Sequence, residues 1–326
     1  MPDARSLIEK IDTLLPLRPE EALEYCRELR SIALERRIYE LLIQEEGLRG
    51  RSYFAESRNQ EGRKFLSQAV TWYRQRHKPE PGSLLINSVG ADFLQLSRFP
   101  EARLWLAAAV QNAVTSKLPR VLYKSLYNLG KVEQRSGNLA AARDYFERSL
   151  ATAHTVHEAV THRGVLLQSL ASVSSGLGDL RKTEKYLHAG QQEALRLGQW
   201  ERSLSMAREI SRQMIVQREY HQARVLLFQS METAREHGLV REELLVSISL
   251  AQVLFRLDQR GVLLQVLLRG QRLLEEHQDL RDRETAELYK YLAVSYEKIF
   301  NDQDRSSRYY QLYRYFSGLK DRGDAL

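Results

Sequence analysis

Cysteine, proline and glycine are scarce in this 326-residue chain, and each scarcity argues against a class of protein. The single cysteine, Cys26, allows no intramolecular disulfide framework and no cysteine-based metal site, which favours a reducing compartment. Seven prolines and seventeen glycines are few for a β-protein with many turns. Helix-forming residues dominate instead, so we expect an all-α fold, with Cys26 packed in its core.

Long apolar runs are missing as well. No stretch reaches the roughly 18 residues of a membrane span, and residues 1–10 lack the pattern of an export signal. We therefore expect a cytoplasmic protein that does not associate with membranes. Lysine and arginine number 49 against 42 aspartates and glutamates, a net charge of +7. This mild excess suits an acidic partner or nucleic acid.

The sequence repeats itself with a period of 40 residues. The clearest copy combines Leu129-Gly130, Gly137-Asn138, Ala142 and Phe146. A small residue recurs at the position of Gly130, where it lets neighbouring helices approach closely; the set is Gly50, Gly90, Gly130, Ala171, Ser211, Ala251 and Ala293. We attribute the 40-residue period to a lengthened second helix in each pair, for instance 220–237, and we expect about one extra residue in the turn at 301–304.

This periodicity predicts about eight helix-turn-helix units within one domain, residues 1–326. Their bounds lie near 1–40, 41–80, 81–120, 121–160, 161–200, 201–240, 241–281 and 282–326.

The repeated residues resemble the tetratricopeptide pattern, although Glu133 stands at a position that is normally aromatic. Over essentially the whole chain the repeat is similar to the long-repeat branch found in bacterial regulatory proteins, such as Rap-type receptors and the sensor arms of cyclases, kinases and transcription activators. The resemblance implies a right-handed α-solenoid that binds a protein or peptide and needs no cofactor. The last unit is similar to repeats that continue into an effector domain. The residues leave open whether the chain is complete or is the N-terminal part of a longer signalling protein.

In this family the first helix of each pair lines the concave face, so residues two before and two after the repeat leucine point into a groove. The positions predicted to bind a partner are Lys124, Tyr127, Lys131, Gln168, Arg208, Arg212, Gln252 and Arg256, with Ser172 and Ile248 beside them. Such a basic, amide-bearing groove suits a peptide of acidic character. Taken singly, each of these residues is better explained as a solvated helix position, so the hypothesis rests on the cluster. The family's carboxylate clamp for chaperones is matched only by Asn128 and Lys131, so we do not predict chaperone binding.

No catalytic residue and no metal site is predicted, and we do not expect an enzyme. His157 and His162 are five residues apart, one more than the zinc-protease spacing, and with His154 and Glu158 they suggest a solvated loop. The run 176–179 lacks the lysine and the preceding strand of a phosphate loop, so we interpret it as a turn. Trp72, Trp105 and Trp200 are expected to pack in the core.

Two other hypotheses remain open. A nucleic-acid-associated solenoid would use the net positive charge and would lose affinity steeply with salt. A homodimer would form through the last unit if Tyr309, Tyr313 and Phe316 were left exposed.

Overall fold

The computed structural model describes residues 4–76 and 78–318, and for Tyr39 it describes only the backbone. These residues form sixteen α-helices and two short 3₁₀ helices, and they contain no β-strand. The helices are α1 (Ala4–Leu14), α2 (Pro19–Glu35), α3 (Tyr39–Ala55), α4 (Asn59–Gln75), α5 (Pro79–Gln95), α6 (Phe99–Thr115), α7 (Pro119–Arg135), α8 (Leu139–His154), α9 (Val160–Gly176), α10 (Leu180–Arg196), α11 (Trp200–Val216), α12 (Tyr220–Glu236), α13 (Val240–Arg256), α14 (Arg260–Glu276), α15 (Glu287–Lys298) and α16 (Gln303–Ser317). The 3₁₀ helices are His157–Ala159 and Gln278–Leu280. The expectation of an all-α repeat of eight helix pairs is confirmed.

The 40-residue period arises from two helices of equal length. Helices α11 and α12 each have 17 residues, and three-residue connectors separate consecutive helices over most of the chain. The prediction that the second helix alone is lengthened is therefore wrong. The helix pairs from α3 to α14 begin within two residues of the predicted unit boundaries. Residues 319–326 of the last predicted unit lie outside the described residues.

Contacts divide the chain into two compact units, Met1–Thr183 and Glu184–Leu326, with the division inside α10. In the first unit the helix pairs are α1–α2 through α7–α8, followed by α9. In the second they are α11–α12 through α15–α16. The single domain over 1–326 remains a prediction. None of the helices in residues 4–76 and 78–318 combines the length and apolar character that a bilayer crossing needs.

The three-residue connectors whose residues are all described share one backbone motif. After α7, Gly137 has a φ of 84°, and the Asn138 amide donates to the Glu133 carbonyl oxygen at 2.8 Å. This pairing satisfies carbonyl groups that a helix end would otherwise leave without a partner. Residues 177–179 form the same motif with Gly178 in the middle (φ 74°), which confirms the predicted turn. Non-glycine residues adopt this left-handed conformation at other connectors, including Lys117 and Arg218.

Small residues allow the two helices of a pair to approach closely, as predicted. A Cβ atom added at Gly130 on α7 would lie 2.5 Å from the ring of Phe146 on α8. In the pair α3–α4, a Cβ atom at Gly50 would lie 3.0 Å from the backbone nitrogen of Leu66. Because Phe146 is fully buried, its ring has little room to move away.

We therefore expect Gly130→Ala to lower the free energy of unfolding by about 1–3 kcal/mol through overpacking. Urea unfolding followed by circular dichroism measures the change. The matched control is Gly261→Ala on α14, where an added Cβ atom would meet nothing within 4 Å. The control should raise the free energy of unfolding by about 0.5–1 kcal/mol, because alanine loses less backbone entropy than glycine in a helix. Equal effects of the two substitutions would contradict the close-contact explanation.

Glu133 occupies a normally aromatic position, and the structure shows how a carboxylate is accommodated there. Its side chain is nearly fully buried, with Arg103 Nε of α6 at 2.6 Å and Asn138 Nδ2 at 2.8 Å from its two oxygens. The Arg103 hydrogen bond is the main cause that holds the pKa of Glu133 below its usual range. The charged hydrogen bond from Arg103 to Glu133, which joins two consecutive helix pairs, thus takes the place of the usual aromatic contact.

A lowered folded-state pKa stabilises the fold above the unfolded-state pKa, and this stabilisation is lost as the pH falls through the folded-state value. At pH 7 we expect Glu133→Gln to cost about 1 kcal/mol, a modest value because Arg103 is partly solvated. The difference between wild type and variant should shrink when urea unfolding is repeated below about pH 4. A difference that stays constant with pH would show that the charge of Glu133 is not what stabilises the fold.

The last unit departs from the regular repeat. The connector between α15 and α16 has four residues, 299–302, so the predicted extra residue is confirmed. The Tyr289 ring stacks on Tyr309 at 6.4 Å and on Phe316 at 5.9 Å between centroids. Tyr309, Tyr313 and Phe316 are half-buried by these and neighbouring contacts, so the condition stated for a homodimer through the last unit, that they be left exposed, is not met.

The expected core position is confirmed for Cys26, whereas Trp105 is half-buried against an apolar cluster. Cys26 is fully buried, and burial raises the pKa of its thiol to about 12. The Trp105 ring meets Phe54 edge-on at 5.4 Å, and Trp72 is half-buried in a small apolar cluster. Trp200 differs, because its half-exposed ring stacks on the exposed His237 at 4.1 Å.

Candidate functional site

The odd-numbered helices lie on the inner side of each unit. In the first unit α3 contacts α5, and α5 contacts α7; in the second, α11 contacts α13, and α13 contacts α15. Within the described residues no pair of even-numbered helices makes a comparable contact. Side chains that point away from the partner helix of an odd-numbered helix therefore line the inner surface of its own unit.

A pocket of about 280 Å³ opens on this inner surface in the first unit, and we call it the α7 pocket. Its lining comes from α5, α7 and α9 and comprises Asn87, Tyr123, Lys124, Tyr127, Asn128, His162, Val165 and Leu166. Asn128 Nδ2 donates to Asn87 Oδ1 at 3.1 Å, which links α7 to α5. The Tyr123 ring meets the His162 ring edge-on at 5.7 Å, which links α7 to α9. The pocket therefore combines one cation, two amides, aromatic rings and an apolar wall.

Lys124 is the cation of the α7 pocket. Its side chain is half-buried, and burial, followed by the charge of Arg120, lowers its pKa. Glu80 and Glu158 oppose this shift from a distance. Among residues 4–76 and 78–318, no carboxylate comes within ion-pair distance of the Lys124 ammonium. Lys124 therefore faces the pocket with its charge uncompensated at close range.

Four predicted binding residues belong to the first unit, and the structure separates them into two groups. Lys124 and Tyr127 line the α7 pocket, where the Tyr127 ring packs 5.7 Å from Phe146. Lys131 lies further along α7, with its Nζ atom 3.1 Å from Gln134 Oε1, and its pKa is lowered chiefly by burial. Gln168 is exposed on α9 and does not line the pocket.

The prediction missed several pocket residues. Asn87 lies 40 residues before Tyr127, so the period itself would have identified it. His162 was expected in a solvated loop, but it lies in the first turn of α9 and lines the pocket. His154 and His157 are exposed near the end of α8, as expected. The distinction depends on where α9 begins, which the spacing of the histidines does not show.

Arg51 on α3 also points to the inner surface, 80 residues before Lys131. Its guanidinium binds Asp92 of α5 through two hydrogen bonds of 2.7 and 3.0 Å, and Asp12 lies 2.6 Å away. The Arg51 and Asp92 side chains are largely buried. This cation is therefore neutralised by carboxylates of its own chain.

Arg208 on α11 is neutralised in the same way in the second unit. Its side chain is only 14% exposed and lies 3.6 Å from Glu242 of α13 and 2.8 Å from Glu284. Arg241 holds the same connector, residues 277–286, through Asp282 at 2.6 Å and Glu284 at 3.2 Å. We call these five residues the Arg208 cluster. Carboxylates therefore balance the positive charge of Arg208, so the inner face is not basic at this position, as it was predicted to be.

The remaining predicted residues of the second unit are more accessible. Arg212 is 60% exposed and pairs with Glu209 on its own helix. Gln252 is half-buried on α13, and Arg256 is exposed in the last turn of that helix.

We expect Arg208→Glu to lower the free energy of unfolding by on the order of 3 kcal/mol, because it leaves Glu242 unpaired next to a new negative charge. Arg212→Glu should change it by less than about 0.5 kcal/mol, since an exposed ion pair contributes little. Urea unfolding of the two variants makes the comparison. Similar stability of both would show that the Arg208 cluster does not stabilise the second unit.

No family model and no curated protein matches this sequence. Its structure is similar to the apo form of RapI, with 11% identity, a TM-score of 0.64 and coverage of 99% of each chain. It is similar to the apo form of the quorum sensor NprR from B. thuringiensis, with 14% identity, a TM-score of 0.60 and coverage of 96% of this chain and 87% of that one. A signal transduction ATPase with numerous domains and a tetratricopeptide repeat sensor, from Pyrococcus horikoshii, gives 11% identity and a TM-score of 0.66 over 95% of this chain and 50% of that one. At these identities the likeness shows the fold, which is tetratricopeptide-like.

Proposed function

We propose that this chain binds a protein or peptide partner rather than catalysing a reaction, and that the α7 pocket receives an acidic side chain of that partner. The observation that carries the proposal is Lys124, a half-buried ammonium group with no carboxylate of the described chain at ion-pair distance. Arg51 and Arg208, the comparable cations of other odd-numbered helices, have such carboxylates.

A partly buried charge without a counter-ion is unfavourable, and a partner carboxylate would relieve this cost. The charged hydrogen bond so formed is stronger than one between neutral groups. Since Arg51 and Arg208 are already paired with carboxylates, an incoming carboxylate gains more at Lys124 than at either of those two arginines. This difference between the cations would fix the partner segment with its acidic residue at Lys124.

The two asparagines of the α7 pocket suit the main chain of such a segment. Asn128 donates one hydrogen to Asn87, which leaves a carbonyl oxygen on Asn128 and an amino group on Asn87 for other partners. An extended peptide presents alternating carbonyl and N–H groups that match this pair. Val165 and Leu166 add an apolar wall that suits an aliphatic or aromatic side chain beside the carboxylate.

We further propose that binding serves signal sensing, as in a ligand-sensing arm of a bacterial regulatory protein. What supports this is the sensor role named for NprR and for the repeat region of the Pyrococcus horikoshii protein, whose folds this chain shares.

The test is a selection of peptides followed by a double-mutant cycle. Purified chain is presented with a displayed library of random dodecapeptides, and a selected peptide is labelled with fluorescein for anisotropy titrations. We expect selected peptides to share an aspartate or glutamate. Lys124→Gln, or replacement of that acidic residue by its amide, should each weaken binding at least about tenfold, and the two changes together should weaken it little further.

The matched control is Lys64→Gln, the same change at an exposed lysine on the outer face of α4. It should leave peptide affinity unchanged, and circular dichroism should show that both variants keep the helical fold. The proposal fails if no peptide is selected or if Lys124→Gln binds as well as the control. If the purified chain instead binds DNA, with an affinity that falls steeply as salt is added, the nucleic-acid hypothesis is favoured.

A further inference from the structure

The most exposed stripe along α6 carries no charged residue, and α6 has fewer charged residues than the other outer helices. Helix α6 contains two charged residues, Glu101 and Arg103, whereas each of α2, α4, α8, α10, α12, α14 and α16 contains at least four. The exposed stripe of α6 consists of Pro100, Leu104, Ala107, Ala108, Gln111 and Val114. Leu104 is 64% and Val114 is 55% exposed.

The opposite face of α6 is equally apolar, because it packs in the core through Ala102, Leu106, Ala109 and Ala113. A helix that is apolar on both faces is typical of a helix with neighbours on both sides. The two charged residues of α6 are both paired within the chain. Glu101 is paired with Arg98 at 2.6 Å, and Arg103 is paired with the buried Glu133. The stripe is thus an uncovered apolar surface.

We propose that the outer face of α6 binds the same face of a second copy of this chain, with the two helices antiparallel. The stripe is self-complementary in that direction. When the two helices are centred level with residue 109, Leu104 of one copy lies level with Val114 of the other. Small residues occupy the middle, at Ala107 and Ala108, where they allow a close helix crossing.

Charge at the ends of α6 favours the antiparallel arrangement over the parallel one. In the same register Glu101 of one copy lies level with Lys117 of the other. Lys117 is exposed in the connector that follows α6. Because Glu101 already binds Arg98 of its own chain, Lys117 of the other copy would join an existing ion pair, and the two-fold axis repeats this arrangement. A parallel arrangement would instead bring Lys117 next to Lys117 and Glu101 next to Glu101.

The size of the surface sets the strength of the dimer. A 17-residue helix is about 25 Å long, so one helix pair buries less than the roughly 1,200 Å² of a standard stable interface. We therefore expect a weak, reversible dimer with a dissociation constant in the micromolar range.

Sedimentation equilibrium of the full chain, at concentrations up to about 200 μM, tests the proposal. The wild type should show a reversible monomer–dimer equilibrium. Leu104→Glu should abolish it, since the new charge would be buried at the interface. Val225→Glu is the matched control, because Val225 is similarly exposed on the outer helix α12 and should leave the dimer intact.

A charge exchange tests the register. Lys117→Glu should weaken the dimer at least tenfold by placing two carboxylates level with each other. Adding Glu101→Lys to that variant should restore the wild-type affinity. Circular dichroism confirms that each variant is folded.

Four outcomes would overturn the proposal. The wild type could remain a monomer at every concentration, or its dimer could survive Leu104→Glu. The exchanged variant could also fail to recover while remaining folded, which excludes the antiparallel register. Tyr315→Ser separates this dimer from association through the last unit, where Tyr315 is 78% exposed. Loss of the dimer in that variant alone would place the interface on α16 and contradict the proposal.

Discussion

Close approach of the two helices in each pair is the constraint on which the rest of this fold depends. At Gly130 even one added carbon would overlap the buried ring of Phe146. Over most of the described chain the helices have 17 residues and the three-residue connectors adopt the same left-handed motif, so successive pairs within each unit have similar dimensions. Stability then comes from the sum of these neighbouring contacts.

The same constraint decides which surfaces are available for binding. Stacking brings successive odd-numbered helices into contact, so a charge on one helix meets whatever the next helix carries at that place. Arg51 meets Asp92, and Arg208 meets Glu242, whereas Lys124 meets tyrosine and asparagine side chains. Similar helices thus carry cations in chemically different surroundings.

Much of the fold was predictable because it depends on the spacing of residues that are close together in the sequence. The period, the small residues at Gly50 and Gly130, and the turn at Gly178 depend on neighbours in the sequence or one repeat away. The length of the first helix was missed, since propensity alone does not locate helix ends. Within the candidate site, Lys124 and Tyr127 follow from the repeat register, but the role of His162 required knowing where α9 starts.

The sequence by itself determined the helical class, the number of helix pairs and the face on which Lys124 lies. Periodic apolar and small residues act between adjacent helices, so their pattern suffices. Only the tertiary structure decided which cations are neutralised, because their partners are distant in the chain. Arg208 and Glu284 are 76 positions apart and meet through an irregular connector that no period describes. The uncompensated charge of Lys124 was therefore visible only after the chain was folded.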